Sequence, residues 1–211
     1  EMFELGLKTD LFNRRMRLNI AGFITNYKAL QLLANTGPSA FVPVLINAGD
    51  ARIKGIEVEA DILAAEWLRV NASVGYLDSG YRRLSADAIA AGASLDNEIP
   101  NSPEWTTTLG ATLDVVNSDM GRVFLRGDWS YKSSQFKAVA NDPSLWQGSY
   151  HIINASLNYE APDGRWAASL GGTNLANEAY IVSGVANAGI GYAQAIVSRP
   201  REWFLNIKFK Y

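Results

Sequence analysis

Polar and apolar positions alternate along much of this chain, most plainly at its end. Trp203, Leu205, Ile207, Phe209 and Tyr211 occupy alternate positions, and Glu202, Phe204, Asn206, Lys208 and Lys210 lie between them. Successive side chains of a strand point to opposite faces, so one face is apolar and the other mostly charged or amidic. The same alternation recurs upstream. Met16, Leu18, Ile20 and Ile24 oppose Arg17, Asn19, Thr25 and Tyr27, and Ile56, Val58, Ala60 and Ile62 oppose Glu57, Glu59 and Asp61. Leu68, Val70, Ala72, Val74 and Tyr76 oppose Arg69, Asn71, Ser73 and Gly75, and Ile153, Ala155, Leu157 and Tyr159 oppose Asn154, Ser156 and Asn158. Nine strands are predicted, at about 1–9, 15–29, 44–62, 67–79, 104–116, 121–134, 149–160, 165–175 and 199–211. Aliphatic faces that end in aromatic rings, opposite polar faces, are what a closed barrel in a bilayer requires. A secreted soluble sandwich with an amphipathic last strand is the alternative.

The connections weigh on that choice. Short turns fall near 10–14, 63–66, 117–121 and 161–164, the last carrying Pro162-Asp163-Gly164. Between them lie long segments at about 30–43, 80–103, 135–148 and 176–198. Short turns at one end and long loops at the other is the outer-membrane arrangement. Several strands are also longer than the roughly six residues usual in a sandwich and can cross ~25 Å of membrane when tilted. The first strand precedes a short turn and the last follows a long loop, so both run from outside to periplasm. An odd strand count with Glu1 at an extracellular end suggests the C-terminal part of a larger barrel.

Composition changes the picture only by exclusion. The 211 residues are 48% hydrophobic and 19% charged with a net charge of −2, the balance of a folded domain without a basic excess for nucleic acid. No apolar run is long enough for a transmembrane helix, a test to which strands are blind. Cys is absent and His151 is the single histidine, which excludes disulfides, thiolate metal sites and a histidine cluster. There is no phosphate-cradling glycine loop, nucleophile elbow or metal-ligand spacing, so neither an enzyme nor a cofactor is expected.

Four stretches carry a family resemblance. They are Asn47-Ala48-Gly49-Asp50-Ala51-Arg52-Ile53-Lys54-Gly55-Ile56-Glu57-Val58-Glu59, Ile99-Pro100-Asn101-Ser102-Pro103-Glu104-Trp105, Gly172-Thr173-Asn174-Leu175-Ala176-Asn177-Glu178-Ala179-Tyr180, and Arg199-Pro200-Arg201-Glu202-Trp203 running to the terminal aromatic. In this order the chain resembles the C-terminal portion of a TonB-dependent outer-membrane receptor over essentially all of its length. The resemblance implies an antiparallel up-and-down transmembrane β-barrel of about 22 strands. Residues 1–211 would supply about nine of them, without the plug domain and the TonB box. It also implies the outer membrane of a Gram-negative bacterium and TonB-energised uptake of a scarce solute. Iron–siderophore complexes are the commonest cargo of such receptors; cobalamin, haem and oligosaccharides use the same architecture. The implied partners are outer-membrane lipid and lipopolysaccharide, TonB through the missing N-terminal part, the barrel assembly machinery and a small ligand such as a ferric siderophore. Trp203, Leu205, Ile207, Phe209 and Tyr211 would form the C-terminal assembly signal. A passive porin or a smaller outer-membrane barrel is the alternative within the same membrane.

Candidate ligand contacts lie in or beside the long loops: Tyr81, Arg82, Arg83, Trp146, Tyr150 and Tyr192. Aromatic and arginine side chains are frequent recognition anchors, and arginine pairs with anionic groups. Loop packing, or arginine contact with lipopolysaccharide phosphates, is the plainer role for each. The small residues around Gly184, Gly189 and Gly191 suggest a loose last loop, which either folds over a ligand or has no binding role. Glu57, Glu59 and Asp61, beside Lys54 and Arg52, read as salt-bridged lumen wall rather than a catalytic dyad, with contact to the plug or a solute as the alternative.

Overall fold

The computed structural model describes residues 1–35, 43–187 and 191–210. Nine strands form one antiparallel sheet. They are β1 (Met2–Leu11), β2 (Met16–Ala34), β3 (Val44–Ala65), β4 (Leu68–Leu84), β5 (Trp105–Ser118), β6 (Gly121–Lys132), β9 (Tyr150–Glu160), β10 (Trp166–Thr173) and β13 (Glu202–Phe209). Each pairs with the strands before and after it in this series, an up-and-down meander. The long connections carry their own elements: helix α1 (Ala86–Ala90), and the small hairpins β7 (Gln135–Phe136) with β8 (Trp146–Gln147) and β11 (Ile181–Asn187) with β12 (Tyr192–Val197).

The register turns the alternation of each strand into continuous rows. Leu68, Leu113, Leu125, Leu157, Leu170 and Leu205 stand opposite one another across six strands. The adjacent row on the same face runs Met16, Ile62, Val70, Ala111, Gly127, Ala155, Gly172 and Trp203. This face is bare: Leu157, Leu170, Leu205 and Ile207 are 47–73% exposed. No second sheet covers it among the described residues. So large an apolar surface is stable against hydrocarbon and costly in water.

Aromatic residues border the apolar face at both ends. Tyr76 meets Trp105 with ring centroids 4.8 Å apart on the long-loop side, beside Trp129 and Tyr131. Tyr159 meets Trp166, also at 4.8 Å, on the short-turn side, near Phe209. From Tyr76 to Leu68 is ~27 Å along the strand, or about 20 Å along the membrane normal at the usual ~40° tilt, close to the thickness of an outer-membrane apolar band.

The opposite face is mostly polar, with Phe23, Phe124, Ile152 and Phe204 among its charged and amide side chains. Arg17, Asp61, Asn71, Gly110, Asp128 and Asn154 form one of its rows. Several of its charges are tied to neighbours: Arg17 to Asp10 at 3.0 Å, Arg126 to Asp128 at 2.9 Å, and Arg122 to Asp114 at 2.6 Å and Glu160 at 3.5 Å. Glu57, Glu59 and Asp61 lie on this face, where Asn19 donates to Glu59 at 3.3 Å. Arg52 and Lys54 do not stand beside them. Alternation puts both cations on the apolar side above Ile56, where Lys54 pairs with Asp78 at 2.8 Å and Arg52 donates to Asn26 at 3.1 Å.

Strands β2, β3 and β4 continue beyond the aromatic border, further than the alternation predicted. Their extension is irregular. Gly49 adopts φ 136°, and a Cβ there would run into the Arg83 carbonyl, so glycine is required at this bulge.

Candidate functional site: the long-loop end

The described parts of the four long connections pack together rather than standing apart. Ala88 and Ala93 from the β4–β5 connection and Val139 from the β6–β9 connection bury against Ala34, Ile46 and Ala48 of the β2–β3 extension. Helix α1 is started by Ser85, whose hydroxyl accepts from the Ala88 amide at 3.1 Å. Ile99 covers Ala51 and Tyr81 on the polar side of the sheet. The β11–β12 hairpin joins from the last connection: Asn35 donates to the Ala186 carbonyl at 3.0 Å, and the Ile181 amide donates to the Gln147 side chain at 2.6 Å. Leu145, fully buried, lies beneath Gly184, where a Cβ would collide with it. The last connection is therefore ordered over its described residues, where a loose loop was expected; Gly189 lies outside them.

Two of the four sequence stretches clamp this end. Asn174, at φ 50°, is buried with its amide fully used. Its Nδ2 donates to the carbonyls of Glu178 at 2.8 Å and Arg199 at 3.1 Å, and its Oδ1 accepts from the Glu178 amide at 2.8 Å. Asn177 Oδ1 accepts from the Arg201 amide at 2.9 Å, and the Arg201 guanidinium donates to the Leu175 carbonyl at 3.2 Å. The polypeptide leaving β10 is thereby tied to the polypeptide entering β13.

The loops enclose a cavity of about 630 Å³, within the range of small-molecule sites. Its polar lining includes Gln31, Asn35, Asn101, Lys137, Asp142 and Ser183, against a background of alanine, leucine and valine. Asp142 is occupied in capping a turn, accepting from the Ser144 amide at 2.9 Å and hydroxyl at 2.6 Å. Lys137 Nζ donates to Asn101 Oδ1 at 3.1 Å and has no carboxylate partner among the described residues. Burial, helped by the charge of Lys132, lowers the pKa of the Lys137 ammonium. Such a cation gains from an anionic ligand group.

None of the six candidate contacts lines this cavity. Tyr81 is buried beneath Ile99, and burial pushes its hydroxyl up to about 12. Arg82 is exposed, and Arg83 bonds Asp50 at 3.0 Å. Trp146 is half exposed on β8, and Tyr150 is buried and stacks on Tyr180 at 4.2 Å. Tyr192 is partly exposed on β12 and donates to Gln194 at 2.7 Å. Sequence reading missed Lys137 and Asn101. The available signal was a lone cation in the 135–148 segment, though nothing in the pattern joins it to residue 101. Among the described residues no group of acids and histidine could hold a metal ion. Trp203, Leu205, Ile207 and Phe209 line the apolar face of β13, and Tyr211 lies outside the described residues.

Residues 2–175 match the family model described as TonB dependent receptor-like, beta-barrel. The chain belongs to this family, as the four stretches indicated, and its fold is a partial antiparallel transmembrane barrel. No curated protein matches it by sequence. Among solved structures it is similar to the ferric yersiniabactin uptake receptor FyuA of Yersinia pestis, with 23% identity and a TM-score of 0.78, over 100% of this chain and 29% of that one. It is also similar to the siderophore receptor PiuA of Acinetobacter baumannii, with 21% identity and a TM-score of 0.72, over 100% of this chain and 28% of that one. The ferric citrate transporter FecA shares 20% identity with a TM-score of 0.72, over 97% of this chain and 30% of that one. The chain thus spans under a third of the length of these receptors.

Proposed function

We propose that residues 1–211 form the C-terminal wall of an outer-membrane receptor that imports a ferric siderophore with energy from TonB. The plug and the TonB-contacting segment belong to sequence outside this range. The single observation that carries the reading is the loop assembly: the described parts of four connections pack around a cavity at one end of an amphipathic wall. A passive porin does not need such a cap. The siderophore and metal receptors among the structural relatives support the choice of cargo. The half-buried Lys137 supports a ligand with an anionic group. Of the six sequence candidates, Trp146 and Tyr192 are exposed aromatics, and their exposure supports a role for them in ligand contact outside the cavity.

The test is uptake of radioactive iron by the host bacterium, offered as a panel of ferric siderophores, with and without the gene and with and without TonB. Accumulation of one chelate that needs both genes supports the reading. Passage of small solutes that needs this gene but not TonB would make the protein a porin.

A further inference from the structure

The cavity at the long-loop end has a charge balance that restricts the chelate it can hold. Lys137 and Asp142 are the ionisable side chains among its described lining residues, one of each sign. Lys132 acts on Lys137 from outside that lining. A polyanion would find one cation to pair with and one carboxylate to repel it, and its remaining charges would be desolvated without partners. A single negative charge is matched. Lys137 Nζ spends one hydrogen bond on Asn101 Oδ1, at 3.1 Å, and an ammonium has three donors. It has no carboxylate partner among the described residues.

The uncharged lining points the same way. Ala34, Ala90, Ala91, Ala138, Ala140 and Ala186 make a smooth aliphatic wall, and Gln31 and Ser183 add an amide and a hydroxyl. Among the described lining residues there is no aromatic ring and no arginine. Catecholate or phenolate rings would have neither a face to stack on nor a guanidinium for their oxygens in this lining. Methylene chains joined by amides suit such a wall, which is apolar with scattered hydrogen-bonding groups.

Resting on the receptor reading given above, we infer that the chelate held here is a ferric trihydroxamate carrying one free carboxylate, and that Lys137 selects its charge. Three hydroxamates neutralise the ferric ion, so the carboxylate is the net charge of the whole chelate. The carboxylate accepts a charge-assisted hydrogen bond from the Lys137 ammonium, and the methylene arms lie on the alanine wall. Three catecholates would instead leave the chelate with three negative charges against one lysine.

The experiment uses the receptor as its host makes it, extracted from outer membranes in a neutral detergent, with quenching of tryptophan fluorescence as readout. The probes are ferric chelates: a linear trihydroxamate succinylated at its terminal amine, the methyl ester of that acid, and a tris-catecholate. The acid should bind about tenfold more tightly than the ester, the worth of one charge-assisted hydrogen bond, and more tightly still than the tris-catecholate. Lys137→Gln keeps a polar side chain at a half-buried position. It should weaken the acid about tenfold and leave the ester nearly unchanged, whereas a merely structural lysine would affect both alike. Heat-modifiable mobility on a gel verifies that the variant is folded. Equal binding of acid and ester, tighter binding of the tris-catecholate, or equal losses for acid and ester in Lys137→Gln would each overturn the assignment. Failure of all the probes to bind would overturn it too, and the uptake panel then decides the receptor reading separately. TonB-dependent accumulation of another chelate leaves that reading standing, and passage without TonB removes it.

Discussion

At the scale of the residue, the loop end is held by a few polar side chains whose partners can be counted. Asn174 uses both ends of its amide on three backbone groups, of which the Glu178 carbonyl also accepts from the Ser198 hydroxyl at 3.3 Å. Replacing it with alanine leaves the Arg199 carbonyl and the Glu178 amide unpaired at about 1–3 kcal/mol each where they stay dry. The expected result for Asn174→Ala is faster proteolysis between residues 174 and 201 while the strands stay protected, read by mass spectrometry of limited digests. Asp50 gives a pH-dependent counterpart. Its bond to Arg83, then that to the Ala29 amide at 3.1 Å, holds its carboxyl below the ordinary value of 3.8. A lowered folded-state value means the stabilisation is full above 3.8 and is lost as pH falls through the lower value. Hydrogen exchange at the Ala29 amide, corrected for intrinsic rate, should therefore be flat from neutral pH down to the ordinary carboxylate range and accelerate below it. In Asp50→Asn the step should vanish.

At the scale of the element, the two faces of each strand make opposite demands. Leu157 sits mid-row on the apolar face, and Ser156 beside it faces the polar side. An arginine at Leu157, one alternation inside the Tyr159 border, should cost a part of the about 2–4 kcal/mol it would cost at the bilayer midplane. The same residue at Ser156 should cost little. Folded protein recovered in the outer membrane, measured by heat-modifiable mobility, should fall for Leu157→Arg and hold for Ser156→Arg; equal loss in both would remove the distinction between faces. The loops answer to a different element. Leu145 is the fully buried side chain under the last hairpin, and Leu145→Ala should loosen β11–β12 by roughly 2–5 kcal/mol. That loss should appear as faster amide exchange in residues 181–187 with the nine-stranded sheet unaffected.

The same division explains what could be read from the chain. All nine strands of the sheet were legible because each repeats one physical rule, apolar outward and polar inward, over enough residues to be seen. Where β2 and β3 run on past the aromatic border, the rule lapses. Leu32-Leu33 and Asn47-Ala48-Gly49 do not alternate, and their strand conformation comes from pairing across bulges and from α1 packing on them. The loop cavity was not legible at all. Its contacts join residues such as Asn35 and Ala186, 151 positions apart, and no periodicity reports on such a meeting. Arg52 and Lys54 were visible as cations, yet their pairing was misread because proximity in sequence outweighed the alternation that sends them to the other face.

At the scale of the whole molecule, the claim on which everything else depends is that one face of the sheet meets lipid and the other water. These 211 residues contain no cysteine, so single cysteines placed among them have no background within this range. The decisive measurement is a spin-label scan of residues 153–159 in β9, performed in outer-membrane vesicles, comparing collisions with oxygen and with a water-soluble nickel chelate. Labels at 153, 155, 157 and 159 should favour oxygen, and those at 154, 156 and 158 the nickel chelate, in strict alternation. Uniform access to the chelate, or an alternation of opposite phase, would contradict the membrane wall and with it the receptor.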